Sequence, residues 1–473
     1  MQNYLISSYS IFIKLENSDG QYMLLHGYTG ALDIVHEDIA TFLQSNRNQL
    51  DPSNFPFDTK IWETLINRGY ITQKSKTEER EHVIKLANLL HKRNKLLHNY
   101  FTFIITYDCN FRCPYCYEAH LSNHGLNWTK KKFTKEMVDK AYKAIDTIEN
   151  RDGYHSKTIL LYGGEPLLKE NIEIIEYIVQ QGVSKGFVFN VITNGYDLEF
   201  YQDLIGKGKI SFLQITLDGV EENHDKRRRH YKGEKTFDRI FNNILLALSR
   251  DAKVAVRVNT DESNIDDIAR LKAMFDIKGV LENPNLVIQS ALLVDYLHGD
   301  NVTETKKQFD QENDLHYMPY IEFVSKHKSE NFDVQFDDRG TSRLLYTAIK
   351  NKSVMPLKST YCAAQHGSYA LDPYGYIYGC LESIGFPKSS IGKYNGTQVE
   401  WNALKEKWHS RNSGNLEKCS QCKYTFLCKG GCLNQILKNG GDFTDSRCDG
   451  FGPVLNTVAN LIYDRLFLNH EIA

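Results

Sequence analysis

The chain has no run of 18 or more apolar residues, so no segment reads as a membrane-spanning helix. No basic stretch precedes the first apolar residues of MQNYLISSYSIFIKLENSDG, so no secretion signal is legible and the chain reads as cytoplasmic. Net charge is nearly absent, formally -2 with 25% charged and 41% hydrophobic residues, which argues against a nucleic-acid polymer or an anionic membrane as the main partner. Low-complexity tracts and tandem repeats are missing too. Between Cys116 and Cys362 there is no cysteine at all.

What cysteine there is gathers at two places. Three residues, Cys109, Cys113 and Cys116, form CxxxCxxC, and seven more run from Cys362 through Cys380, Cys419, Cys422, Cys428 and Cys432 to Cys448. Without a secretion signal, ten cysteines point to metal binding or catalysis and away from a disulfide framework. Two separate metal-binding regions are implied. At 473 residues there is room for two or three domains.

Residues 1–75 read as winged-helix-like. YSIFIKL and QYMLLHG flank ENSDG as a hairpin, EDIATFLQ has helical spacing, and IWETLINRGYIT reads as a helix stopped by Gly69 and followed by a strand. Residues 76–99 are polar, charged and helix-periodic, a linker between domains. From Phe101 the runs FTFIIT, KTILLYGG, FVFNVITNG, ISFLQITLDG, KVAVRVNT and NLVIQSALLV alternate with helical segments. These six βα units, over residues 100–300, imply a parallel sheet covered by helices. Six are too few for a closed eight-stranded barrel, so the expected fold class is α/β with a partial (β/α)6 TIM-like barrel and function on the loops after the strands. Residues 301–360 read as a helical connector. Residues 361–473, with Gly, Cys, Tyr and short strands, read as a cysteine-rich iron–sulfur domain.

Three thiolates on one tight loop can hold three corners of a [4Fe–4S] cube and leave one iron without a protein ligand. They also suit a zinc knuckle completed by a distant His or Cys. Following the next strand, GGEP at Gly163 to Pro166 puts glycine backbone and the carboxylate of Glu165 on the same rim, suited to a ligand bearing an amine. At this point residues 101–293 resemble the radical SAM superfamily. The resemblance implies that Cys109, Cys113 and Cys116 ligate a [4Fe–4S] cluster whose fourth iron is chelated by S-adenosyl-L-methionine. It implies further that Tyr115 lies against the adenine, that Gly163, Gly164 and Glu165 receive the methionine amine, and that Asn194, in the TNG loop, belongs to the same cofactor-binding rim. Thr216 and Asp218, in ITLDG, would contact the ribose. Arg228, in HDKRRRH and indistinguishable there from Arg227 and Arg229, would meet the methionine carboxylate. The expected chemistry is reductive cleavage of SAM to a 5′-deoxyadenosyl radical that abstracts hydrogen from an unactivated carbon.

The CxxC spacing of the C-terminal cysteines alone suits one or two structural zinc sites. Their complete order resembles the SPASM extension of radical SAM enzymes, a holder of two auxiliary [4Fe–4S] clusters, which brings the expected total to three. By that resemblance Cys419, Cys422, Cys428 and Cys448 ligate one cluster fully, and Cys362, Cys380 and Cys432 hold the other with an open iron or a non-Cys ligand. SPASM enzymes act on peptides or proteins, which implies a maturase for a ribosomally made (RiPP) precursor peptide, bound by its leader at the N-terminal domain and linked through a cysteine thioether. A reductant such as flavodoxin or ferredoxin is expected as partner, with no nucleic acid and no membrane. One alternative is a carbon–carbon crosslinking maturase. Another is an anaerobic sulfatase-type maturase that makes formylglycine, but those enzymes carry an acid straight after the cysteine matching Cys380. Here Leu381 intervenes before Glu382, the candidate catalytic base. A non-enzymatic iron–sulfur electron-transfer or scaffold protein accounts for the cysteines but not for GGEP, ITLDG and the arginines on successive strand ends.

Overall fold

The computed structural model describes residues 4–149, 156–293, 308–310, 313, 315–319, 322–323, 326–327, 340–448 and 450–468. The chain begins with a short strand β1 (Leu5–Ile6) and a three-stranded antiparallel meander, β2 (Ser10–Lys14), β3 (Gln21–His26) and β4 (Leu32–His36). Two amphipathic helices follow, α1 (Glu37–Ser45) and α2 (Thr59–Asn67). After α2, Gly69 at φ +92° turns the chain into β5 (Ile71–Thr72), which pairs with β1. The 22-residue helix α3 (Lys76–Leu97) opens with a capping box between Ser75 and Glu78. It buries Glu79, Val83, Ala87 and His91.

Six strands then lie side by side in chain order, each parallel to the next. They are β6 (Tyr100–Ile104), β7 (Thr158–Tyr162), β8 (Val188–Thr193), β9 (Ile210–Thr216), β10 (Lys253–Thr260) and β11 (Leu286–Leu292). Helices Lys135–Ile148, Ile172–Ser184, Phe237–Ser249 and Asp267–Ile277 occupy the crossovers. Between β8 and β9 the described helical structure is a single 3-10 turn, Leu198–Tyr201. The chemistry behind this regularity is local. Thr134 caps the first crossover helix by accepting the Met137 N–H, and Val138, Ala141, Tyr142 and Ile145 recur at three- and four-residue spacing on the face that packs on the sheet. Each such fully buried aliphatic side chain contributes about 1.5–3 kcal/mol.

The sheet does not stop at β6. Strand β14 (Ser368–Leu371) adds to it in parallel, Ser368 opposite Tyr100, and β15 (Tyr376–Tyr378), β16 (Gly392–Lys393) and β17 (Glu400–Trp401) continue antiparallel to make ten strands. The change in composition near residue 361 is therefore a change of chemistry along a continuous sheet. Within residues 301–360, the described part comprises a short antiparallel pair, β12 (Gln308–Asp310) with β13 (Leu315–Tyr317), and a helix, Thr341–Lys350. Most of the rest of that stretch lies outside the described residues.

The two ends of the chain share a core. Ile11, Ile13, Leu15, Met23 and Leu25 pack against Leu345, Ala348, Leu455, Val458 and Ile462 from helices Thr341–Lys350 and Phe451–Tyr463. The Tyr9 hydroxyl donates to the Ser420 carbonyl at 2.5 Å, and a Cβ on Gly27 would stand 2.3 Å from the Lys423 carbonyl oxygen.

Candidate functional site

The CxxxCxxC loop leaves β6 and is pinned by its neighbours' backbones. Gly164 N–H donates to the Thr106 carbonyl (3.0 Å) and Glu165 N–H to the Asp108 carbonyl (2.8 Å). A Cβ on Gly164 would lie 2.4 Å from the Asp108 oxygen, and one on Gly163, at φ +135°, 2.2 Å from the Thr106 oxygen. Both glycines of GGEP are thus required by close backbone approach to the cysteine loop. The carboxylate of Glu165 is already engaged. Its Oε1 accepts from Leu167 N–H (2.8 Å) and the Thr193 hydroxyl (2.6 Å), its Oε2 from Asn194 N–H (2.6 Å). These bonds tie the loop after β7 to the loop after β8. Asn194 in turn donates to Asn110 (2.7 Å), inside the cysteine loop.

On this loop Cys113 is close enough to raise the pKa of both Cys109 and Cys116. Burial lifts Cys109 well above the ordinary thiol range, with Glu165, Cys113 and Cys116 adding to it. Cys116 is pushed up to about 12 by burial, then by Glu118 and Cys113.

Tyr115, Asp218 and Arg228 converge on one another. The Tyr115 hydroxyl donates to Asp218 Oδ2, while Arg228 Nη1 donates to the same hydroxyl (3.0 Å). Asp218 Oδ1 accepts from the Asn259 backbone (2.9 Å) and side chain (3.1 Å). Thr216, at the end of β9, is buried, and its hydroxyl makes no hydrogen bond among the described residues. The structure separates the three consecutive arginines. Arg227 is locked at 2.5 Å to Asp261, both fully buried, and Arg229 is exposed with its Nε on the Lys226 carbonyl. Arg228 alone of the three has a buried nitrogen, Nε, without a partner, and its charge reaches Cys113.

Several residues here carried no sequence assignment. Asn259, Asn110 and His224, whose Nδ1 accepts the Asp218 N–H (3.2 Å), support the loops. Glu118 is buried, with Oε1 on the Tyr117 hydroxyl (3.0 Å) and Oε2 unpartnered, and burial pushes its carboxyl up to about 7. Tyr117 also shares a hydrogen bond with Tyr162 of β7. Tyr117 and Glu118 directly follow the last cysteine of the loop. Adjacency was the available signal, and no spacing rule made it a role.

The structure brings the seven C-terminal thiols together as two groups. Cys380 feels Cys362 and Cys432, and Cys432, pushed up to about 12 by burial, feels Cys362. Glu382 acts on all three. Cys419, raised to about 11 by burial, feels Cys428, Cys448 and Cys422. Between the groups sits the buried Arg411, its charge reaching Cys419, Cys432 and Cys362, its Nη1 and Nη2 on the Phe443 and Gly430 carbonyls and its Nε unpartnered. Cys362 is exposed, and burial of its surroundings raises its thiol. Among the described residues, no three or more Cys, His, Asp or Glu side chains converge as they would around a single metal ion. A cubane does not require that, because its ligands stand on separate irons. Grouped soft thiols, a rim whose glycines leave no space for a Cβ, and a buried arginine with an idle nitrogen are chemically suited to iron–sulfur clusters and to a carboxylate-bearing cofactor.

Residues 103–273 match the sequence model of the Radical SAM superfamily. A putative glycyl-radical enzyme activating enzyme of Methanocaldococcus jannaschii is 29% identical over 120 residues, 25% of this chain and 40% of that protein, so the match spans less than half of that relative. The radical SAM cyclopropyl synthase TigE of Paramaledivibacter caminithermalis is 21% identical over 93% of this chain and 91% of its own length. A cysteine-type anaerobic sulfatase-maturating enzyme of Clostridium novyi is 21% identical over 73% of this chain and 90% of its own. Among solved structures, native anSMEcpe with bound AdoMet superposes with a TM-score of 0.54 at 16% identity, covering 79% of this chain and all of that one, a likeness of fold.

Proposed function

Starting from a radical SAM domain, we propose that the chain is a peptide maturase that modifies a ribosomally made precursor, most simply by linking a cysteine sulfur to a carbon as a thioether. Cys109, Cys113 and Cys116 would hold the cluster that binds SAM. Cys362, Cys380 and Cys432, and Cys419, Cys422, Cys428 and Cys448, would hold the two auxiliary clusters of a SPASM-like region. The cluster and SAM together supply a radical able to take hydrogen from an unactivated carbon. The chain's own side chains bind, orient and dry that centre. Arg228 offers its fork to the methionine carboxylate, the Thr216 hydroxyl is available to the ribose, and Glu165 and Asn194 hold the rim in register. Tyr115 and Asp218 satisfy each other and preorganise the pocket wall.

The observation that carries the reading is the division of ten thiols into three groups, the first set beside Arg228. A third, incomplete group favours substrate or an unusual ligand on one auxiliary iron, and with it the thioether over a carbon–carbon crosslink. Sulfatase-type maturation is supported by the relative from Clostridium novyi, but Leu381 stands where those enzymes place an acid. The relative TigE, similar along nearly the whole chain, is a radical SAM cyclopropyl synthase, and that carbon–carbon ring formation supports the carbon–carbon alternative.

A place for the leader is available on β4. Backbone bonds Gly20–Glu37 and His26–Ala31 at either end of the β3–β4 ladder make Asp33 and Val35 the hydrogen-bonded partners of β3. Ile34 therefore presents its N–H and C=O on the open edge, where an extended leader can add as a strand. The enzyme would work in the cytoplasm with a flavodoxin- or ferredoxin-like reductant. No helix among the described residues is long and apolar enough to cross a membrane.

Anaerobic reconstitution with iron, sulfide, SAM and dithionite tests the core of the proposal. About twelve irons per chain, 5′-deoxyadenosine, and a precursor lighter by two hydrogens are expected. Zinc without sulfide, or iron without 5′-deoxyadenosine, sinks it. Ile34→Pro leaves the β3 ladder intact and should abolish peptide modification while sparing SAM cleavage without peptide. Unchanged peptide turnover removes the leader assignment.

A further inference from the structure

Resting on the peptide-maturase reading above, we infer that Arg257 is a substrate-specificity residue: from the sheet face opposite the crossover helices, its guanidinium takes a carboxylate of the bound peptide, an acidic side chain or the C-terminus. Strand β10 alternates cleanly. Val254, Val256 and Val258 are buried in the core that the crossover helices cover, so Arg257 and Asn259 stand on the other face, both half-buried. The neighbouring strands repeat the pattern. Asn190 of β8, Gln214 of β9 and Gln289 of β11 are half-buried on that same face, between Phe189 and Val191, Leu213 and Ile215, and beside the buried Ser290. Their side chains make no hydrogen bond among the described residues. Arg257 lies opposite Thr216 on one side and Gln289 on the other.

A packed core pairs its polar groups or replaces them with apolar ones. A face that keeps an arginine and three amides half-buried and unspent is suited to a polar ligand. The arginine itself is held by one end only. Its Nε donates to Asn259 Oδ1 at 2.9 Å, while Nη1 and Nη2 engage no hydrogen bond or ion pair among the described residues. Asn259 in turn donates from Nδ2 to Asp218 Oδ1 (3.1 Å) and to the Tyr115 hydroxyl (3.4 Å), so the guanidinium is hung from the side chain that braces the pocket wall. The acid reached through these bonds, Asp218, is taken by Tyr115 and Asn259 and forms no ion pair with Arg257. The methionine carboxylate has Arg228. A tethered, half-buried fork with no acid of its own matches a second carboxylate, which it can meet through two parallel N–H bonds. Because Arg257 pairs with Thr216, offered above to the ribose, a peptide gripped there has its neighbouring residues beside the reacting centre, and the contact sets which stretch is presented.

The test uses the full chain, reconstituted with iron and sulfide and held with SAM but without reductant, so that peptide binds and nothing turns over. Probes are fluorescein-labelled glycine-rich heptapeptides, each with one cysteine and one variable residue placed one to four positions after it: glutamate, glutamine or lysine with the C-terminus amidated, and glutamine with the C-terminus free. At the best spacing the parent should hold a carboxylate peptide about tenfold more tightly than the amidated glutamine peptide, read by fluorescence anisotropy. A response in the glutamate arm identifies an acidic side chain as the source, and one in the free-terminus arm the α-carboxylate. Arg257→Gln should erase the preference and Arg257→Glu should reverse it toward lysine, each with iron content and SAM affinity near those of the parent. The inference is overturned if the parent does not distinguish carboxylate from amide, if Arg257→Gln keeps the preference, or if Arg257→Gln loses SAM binding instead, which gives this arginine to the cofactor. Failure of the reduced parent to form 5′-deoxyadenosine overturns the function proposed above, a separate failure from that of peptide selectivity.

Discussion

At the scale of single residues, three adjacent arginines do three different jobs. Arg227 is half of a buried ion pair with Asp261, at 2.5 Å. Arg227→Met strands that carboxylate and should cost about 3–5 kcal/mol of stability, read as a lower urea midpoint. Arg228→Lys keeps the charge but loses the fork that a carboxylate prefers. It should weaken SAM binding by about tenfold, roughly 1.4 kcal/mol, in a binding titration, with the urea midpoint near that of the parent. Glu118 supplies a pH dependence. Folded, its carboxyl titrates near 7, above its ordinary 4.5, because burial penalises the charge. Between those values the unfolded chain has released the proton that the folded chain still holds, so stability falls as pH rises through that window and levels off above it. Thermal midpoints of the reconstituted protein at pH 5 and 7.5 should differ by less in Glu118→Gln than in the parent.

At the scale of elements, the site is made by loops that follow parallel strands and brace one another. The loop after β7 clamps the cysteine loop after β6, and Glu165 fastens it to the loop after β8. Gly164→Ala brings a Cβ to 2.4 Å from the Asp108 carbonyl, a contact the backbone must move to relieve. Loss of the visible absorbance of the cluster proposed at Cys109, Cys113 and Cys116 is expected, while that of the proposed C-terminal clusters is kept. If Gly164→Ala binds that cluster as the parent does, the glycine serves no packing purpose there. Helix α3 was legible as a helix from its polar, charged, helix-periodic pattern, but its buried Glu79, taking hydrogen bonds from Ser7, Ser8 and Tyr28, was not. Helical periodicity locates a face. What lies against that face depends on the rest of the chain.

At the scale of the whole molecule, the N-terminal unit is not a detachable arm. Its meander packs on helices Thr341–Lys350 and Phe451–Tyr463, and Gly27 and Tyr9 touch the segment that carries Cys419 and Cys422. Deleting residues 1–95 uncovers Leu345, Leu455, Val458 and Ile462 and strips backbone support from that cysteine segment. The truncated chain should aggregate or lose the iron proposed at Cys419, Cys422, Cys428 and Cys448, measured by size exclusion and iron content. A monomeric truncation with full iron content would show the shared core to be dispensable. For this reason a point change on β4 is the cleaner probe of leader binding.

The six parallel strands were legible in the sequence because each is a short apolar run followed by a motif loop, and period and punctuation are local properties. The cysteine spacings were legible for the same reason. Which of Arg227, Arg228 and Arg229 faces the cysteine loop was not, since all three sit at the end of one short helix and the pairing of Arg227 with Asp261 depends on another loop. Nor was the engagement of Glu165, which depends on N–H groups contributed by Asn194 and Leu167. The ten-stranded sheet joining Ser368 to Tyr100, and the core shared by the two chain ends, were equally beyond local pattern. Sequence by itself determined which chemistry is present and which strands carry it, because those follow from residue type and near-neighbour spacing. Tertiary structure decided which groups of like kind meet, because contact between residues hundreds of positions apart is set by how whole faces pack.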